Sequence, residues 1–144
     1  PATLQAGDAR IEGWRFVIAT GSAAMVPPIP GLADAPYLTN ETIFGLDKRP
    51  DHMIIVGSGP LGAELAQAHR RLGAKVTILE MFNFLGKDDP KFNVEGIDVQ
   101  TGVKVVIVEK NAPGVTLTIH DAGTEHNITG SHILITNQPL YQLS

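Results

Sequence analysis

The chain has 144 residues, 43% of them hydrophobic, enough for one domain with a real core. Its formal net charge of −4, without basic clusters, argues against nucleic acid or an anionic membrane as a partner. With no cysteine it offers no disulfide, thiolate metal site or cysteine nucleophile, and no apolar run approaches the ~20 residues of a membrane helix.

In chain order, residues 1–20 predict a β-hairpin. Leu4 and Gln5 lie before a turn near Gly7-Asp8, and a second strand follows over 10–19. Trp14, Phe16 and Ile18 alternate there with Arg15, Val17 and Ala19. Pro27, Pro28, Pro30 and Gly31 then make a stiff extended link. A short helix within 38–46, capped by Thr39 or Asn40, precedes the Asp47-Lys48-Arg49-Pro50 turn.

The densest signal follows. The apolar run 53–56 reads as a buried parallel strand, and Gly57-Ser58-Gly59-Pro60-Leu61-Gly62 turns it directly into a helix. Each glycine has a mechanical reason: a tight turn at Gly57, pyrophosphate approach at Gly59, and helix–strand contact at Gly62. A dinucleotide pyrophosphate would sit on the unpaired N–H groups at the helix start, where the macrodipole is positive. Pro60 suits the first helical position. Leu61, Leu65, Ala68 and Leu72 predict the stripe facing the sheet, and Gly73 is a good stop. Arg70 and Arg71, in the last turn, read as a solvated helix end rather than a phosphate site. The next strand, 75–79, ends in Glu80, 18 residues beyond Gly62. A carboxylate there can accept from adenosine ribose hydroxyls and repels a 2′-phosphate, which favours NAD over NADP by ~1–3 kcal/mol.

Beyond Glu80 lies a stretch of turn formers, 83–94. Three strands over 103–110, 115–120 and 125–129 are separated by Asn-Ala-Pro-Gly and Asp-Ala-Gly-Thr turns. Val115, Leu117 and Ile119 face one way while Thr116, Thr118 and His120 face the wet side. A last apolar strand, 132–135, should rejoin the parallel sheet, with another short strand near Asp98. The fold class is therefore α/β: a Rossmann-like parallel sheet with an inserted three-stranded antiparallel meander, preceded by a β-hairpin. The five histidines show no ligand spacing, so no metal site is expected. Asp88-Asp89 reads as a solvated turn pair.

The order Val17-Ile18-Ala19-Thr20-Gly21-Ser22, the proline-rich 26–31, the glycine turn and Glu80 resembles the central segment of the pyridine nucleotide–disulfide oxidoreductases. That family includes dihydrolipoamide dehydrogenase and mercuric reductase. The resemblance implies that 1–48 are the end of an FAD-binding lobe with its linker, and that 49–144 are an NAD(P)-binding domain. Thr20 and Gly21 then lie near the flavin, and Gly57, Ser58, Gly59, Pro60, Leu61 and Gly62 hold the nucleotide. Glu80 takes the ribose, Glu64 in the first helical turn lies toward the nicotinamide–flavin junction, and Val105 packs near adenine. Glu64 also reads simply as a carboxylate complementing the helix dipole, and Val105 as plain core.

The resemblance further implies FAD and a redox cysteine pair elsewhere in a parent protein that is homodimeric through a C-terminal domain, and the absence of cysteine suits a cytoplasmic location. Hydride would pass from NADH to flavin and on to a disulfide or a metal-type acceptor. The chain by itself is expected to be inactive; the alternative is a non-catalytic nucleotide-binding module. Three departures stand out. Pro60 replaces a frequent gating aromatic, Thr136-Asn137-Gln138 replaces an Ala-Thr-Gly, and 81–94 is too short for the usual covering helix. Either that helix is deleted or the sequence omits residues of a parent protein, and a missing helix predicts exposed apolar area near 53–56.

Overall fold

Met53, Ile54 and Ile55 are fully buried and Val56 nearly so, which a strand achieves when both sheet faces are covered. The structure, a computed structural model, describes residues 1–17, 19, 25–82, 95–112 and 114–136. The strands β3 (Tyr37–Leu38), β4 (His52–Val56), β5 (Lys75–Glu80), β6 (Asp98–Thr101) and β10 (His132–Ile135) form one parallel sheet in the order β3-β10-β4-β5-β6. The register sets Ile135 beside Val56 and Val56 beside Leu79. This is the α/β architecture expected from the glycine turn and its flanking strands.

Alternate residues feed two cores, as the period of two along a strand dictates. Met53, Ile55, Val76, Ile78 and Leu134 pack under helix α1 (Pro60–Arg71) and Ile43. Ile54, Val56, Leu79, Ile133 and Ile135 pack against the meander β7 (Val103–Asn111), β8 (Gly114–Asp121) and β9 (Thr124–Gly130). The meander is antiparallel, with Val115, Leu117 and Ile119 inward and a wet face on which Thr118 Oγ1 donates to Asn127 Oδ1 at 3.0 Å. The expected exposed apolar area at 53–56 is not found, because α1 and the meander cover both faces. Residues 83–94, where the missing helix was expected, lie outside the described residues.

α1 starts at Pro60 and ends as anticipated, in a Schellman motif. Gly73, at φ 91°, donates its N–H to Arg70 O, and Ala74 N–H donates to His69 O. Its buried stripe is displaced from the expected one. Gly62, Leu65 and Ala66 face the sheet, while Ala68 and Leu72 point outward. Small residues win the inner face because helix and strand approach closely there. Nor is the helix end simply solvated: half-buried Arg70 donates through Nε to Glu95 O, and Arg71 pairs with Glu95 Oε1 at 2.6 Å.

Two other expectations are corrected. The hairpin forms from β1 (Ala2–Ala6) and β2 (Ala9–Gly13), but the second strand stops at Gly13. Trp14 is 87% exposed. The expected helix within 38–46 reduces to a 3₁₀ turn, Ile43–Gly45. There Thr42 Oγ1 accepts from Thr39 N–H and Thr39 Oγ1 from Glu41 N–H, local bonds that compete with helix continuation.

Candidate functional site

From β4 the chain steps outward to β5 and then β6, yet β10 lies on β4's other side. The carboxyl ends of β4 and β10 therefore flank the point where strand order reverses, the crevice in which open α/β sheets bind ligands. The glycine turn occupies it. Gly57 has φ 105°, a left-handed conformation that disfavours any side chain, and its N–H donates to Leu79 O at 3.0 Å. Gly59 is exposed, and a Cβ built there meets nothing within 4 Å. The space above it is open for a ligand to approach the backbone. The first intrahelical bond runs from Ala63 N–H to Gly59 O. Pro60 has no N–H, so the amides of Leu61 and Gly62 are the helix's unpaired donors at this end.

Gly62 is the opposite case. A Cβ there would collide with Gly57 O and lie 2.8 Å from Thr136 Oγ1. Thr136, 6% exposed, ends β10's run with its hydroxyl 2.9 Å from Gly57 O and 3.2 Å from Val56 O. That hydroxyl ties the last strand to the turn. Sequence reasoning treated Thr136 as part of a departure and missed this role; the signal was a buried-type strand ending in a hydroxyl residue.

Glu80 closes the crevice from β5. Its Oε2 accepts from both Ser58 N–H and Ser58 Oγ–H, each at 2.7 Å, and its Oε1 accepts from Phe82 N–H at 2.8 Å. The sequence brings Ser58 and Glu80 to the same crevice without showing this bond.

The remaining candidates scatter. Glu64 is exposed and lies beyond the first turn, which holds no acidic residue, so it neither occupies the expected turn nor complements the dipole there. Val105 is buried in the meander core beside a bulge in β7. Thr20, Gly21, Asp88-Asp89 and Asn137-Gln138 lie outside the described residues. Among the described residues no group of three His, Asp or Glu side chains is placed to hold a metal ion. No helix among them is long and apolar enough to cross a membrane.

A parallel sheet with its glycine turn at the reversal point and an acid at the end of the second strand defines a dinucleotide-binding type of fold. The family model described as pyridine nucleotide-disulphide oxidoreductase matches residues 2–136, and the chain belongs to that family. It is 34% identical over 137 residues to a mercuric reductase of Streptomyces lividans, covering 90% of this chain and 29% of the relative. A mercuric reductase of Shigella flexneri is 41% identical over 106 residues, covering 67% of this chain and 19% of that protein. The fold superimposes with a TM-score of 0.70 on RclA, an HOCl-induced flavoprotein disulfide reductase of Escherichia coli. That match is 28% identical and covers 88% of this chain and 31% of the other. The chain thus spans less than a third of the length of these curated relatives.

Proposed function

We propose that this chain is the pyridine-nucleotide-binding segment of an FAD-dependent NAD(P)H oxidoreductase and takes NAD(H) in preference to NADP(H). The observation that carries the reading is the carboxylate of Glu80, at the end of β5, fixed by Ser58 of a glycine turn that lies at the sheet's reversal point and leaves the backbone at Gly59 open. The residues fit the nucleotide: an anionic pyrophosphate over Gly59 meets the unpaired amides of Leu61 and Gly62. Glu80 then accepts from the ribose 2′-hydroxyl. Pro60 leaves the nicotinamide end of the crevice without a gating aromatic; Glu64, exposed beyond the first turn, and Val105, in the meander core, take the nicotinamide-side and adenine-side places that the family resemblance gives them.

When bound, the reduced nicotinamide supplies a hydride to a flavin. The chain's own part is to bind the dinucleotide, orient it and exclude water from its carboxyl-end crevice. Residues 1–48 belong to the flavin lobe in this reading, with Thr20 and Gly21 beside the flavin, and 49–144 form the nucleotide domain. The parent works as a cytoplasmic homodimer. The curated relatives carry the name mercuric reductase and the family that of disulphide oxidoreductases, so in this reading the terminal acceptor is a disulfide or Hg(II).

The test is to purify the protein carrying this chain at its full length, record its visible spectrum and titrate it with NADH without oxygen. A yellow protein bleached by NADH is expected. A colourless protein that binds neither NADH nor NADPH overturns the proposal.

A further inference from the structure

Ser58 is 1% exposed, and both of its donors reach one atom, Glu80 Oε2, at 2.7 Å each. Turn geometry asks for glycine at 57 and room at 59 and 62, but it asks no hydroxyl of position 58. A buried hydroxyl must find a partner, and here it finds the acid at the end of the neighbouring strand. Ser58 therefore does not aim its amide or hydroxyl at a pyrophosphate. A carboxylate offers about four acceptor positions. Ser58 and Phe82 fill three of them, leaving Glu80 about one open position and a side chain held from both oxygens.

Resting on the nucleotide reading above, we propose that Ser58 is a positioning residue that sets the choice between NADH and NADPH without touching either. It holds Glu80 so that the open acceptor position meets a ribose 2′-hydroxyl and the negative charge meets a 2′-phosphate. Without the hydroxyl, Glu80 keeps only the amides of residues 58 and 82, and a side chain with three rotatable bonds is held less tightly. It must be ordered at each binding event, at a cost of about two- to tenfold in affinity. It can also swing its charge away from a phosphate.

The experiment is equilibrium titration of NADH and NADPH, followed by nucleotide fluorescence, into the full-length protein whose flavin has first been reduced without oxygen, so that no hydride is transferred during the titration. The wild type is compared with Ser58→Ala, Glu80→Ala and the double variant, and thermal midpoints are recorded alongside. Three results are expected. The wild type prefers NADH. Ser58→Ala weakens NADH about two- to tenfold and NADPH less, so the ratio shrinks. In the Glu80→Ala background, Ser58→Ala leaves the ratio where it is.

An unchanged ratio in Ser58→Ala overturns the inference. Equal weakening of both nucleotides does so too, since that is damage to the turn. An undiminished effect of Ser58→Ala in the Glu80→Ala background points to direct contact with the nucleotide and also overturns it. If Ser58→Ala does not fold, Ser58→Cys, a weak donor of similar shape, takes its place with the same outcomes. A wild type that binds neither nucleotide removes the nucleotide reading itself. A wild type that binds NADH with a ratio indifferent to position 58 removes this inference alone.

Discussion

Gly62 and Thr136 meet where the first turn of α1 passes the end of β10, so closely that a Cβ on residue 62 would lie 2.8 Å from Thr136 Oγ1. The same Cβ would run into Gly57 O, which is backbone and has little room to yield. Gly62→Ala should therefore act as overpacking and cost about 1–3 kcal/mol of stability. Chemical denaturation measures it, and a variant as stable as the wild type would show that helix and turn part easily.

Gly59 makes the contrasting prediction. Its φ of −58° suits alanine, and the space around its Cβ position is empty. Gly59→Ala should cost less than about 1 kcal/mol, as alanine is merely a poorer cap residue. Its effect should fall on binding, weakening NADH and NADPH alike, because the added methyl stands where the pyrophosphate approaches. Nucleotide titration beside a denaturation curve separates the two glycines. Unchanged affinity in Gly59→Ala would place the pyrophosphate elsewhere.

The contrast also shows what was legible in the sequence. The apolar run at 53–56, three glycines at fixed spacing and Glu80 all report local requirements, so the strand, turn, helix and second strand could be read directly. The alternation Val115, Leu117, Ile119 likewise reported a half-wet strand. Trp14 and Phe16 alternate with Arg15 and Val17 just as well, yet a period of two makes a strand only where a partner runs alongside. Here the pairing ends at Ala2 with Gly13. The α1 stripe misled because hydrophobicity was counted and close approach was not: Gly62 and Ala66 pack inside since they are small. The Ser58–Glu80 bond joins residues 22 apart in sequence through side-chain geometry, which no local pattern encodes.

The β8–β9 turn holds a correctable strain. Ala122 sits at φ 46° and Gly123 at φ 91°, both left-handed, as a two-residue hairpin turn of mirror-image type demands. Glycine and asparagine adopt that conformation readily, whereas alanine brings its Cβ against the following carbonyl. Ala122→Asn should raise stability by about 0.5–1 kcal/mol. A denaturation midpoint equal to or below the wild type's would mean that the turn relaxes in solution.

His52 makes stability depend on pH. Its Nδ1 lies 2.9 Å from Thr129 O and its Nε2 3.0 Å from Thr77 Oγ1, so one ring braces β4 against β9 and β5. Nδ1 faces a carbonyl and carries the proton in the neutral ring, and Nε2 and Asp98 Oδ2, 3.3 Å from Thr77 Oγ1, compete for that hydroxyl's one proton. Burial, and then the charge of Lys75, push its pKa below the ordinary 6.5, although the Thr129 bond and Asp98 pull the other way. The folded state thus favours the neutral ring, while the unfolded chain takes up a proton near 6.5. The unfolded state binds more protons in the window from 6.5 down to the lower folded value, so stability falls as pH drops through that window. Above it the contribution is fully present. His52→Gln keeps a polar side chain but removes the titration, so its unfolding free energy should vary less with pH across that window. Urea denaturation of both proteins from pH 8 to pH 5 measures the difference. Parallel curves would mean that His52 titrates alike in the folded and unfolded states.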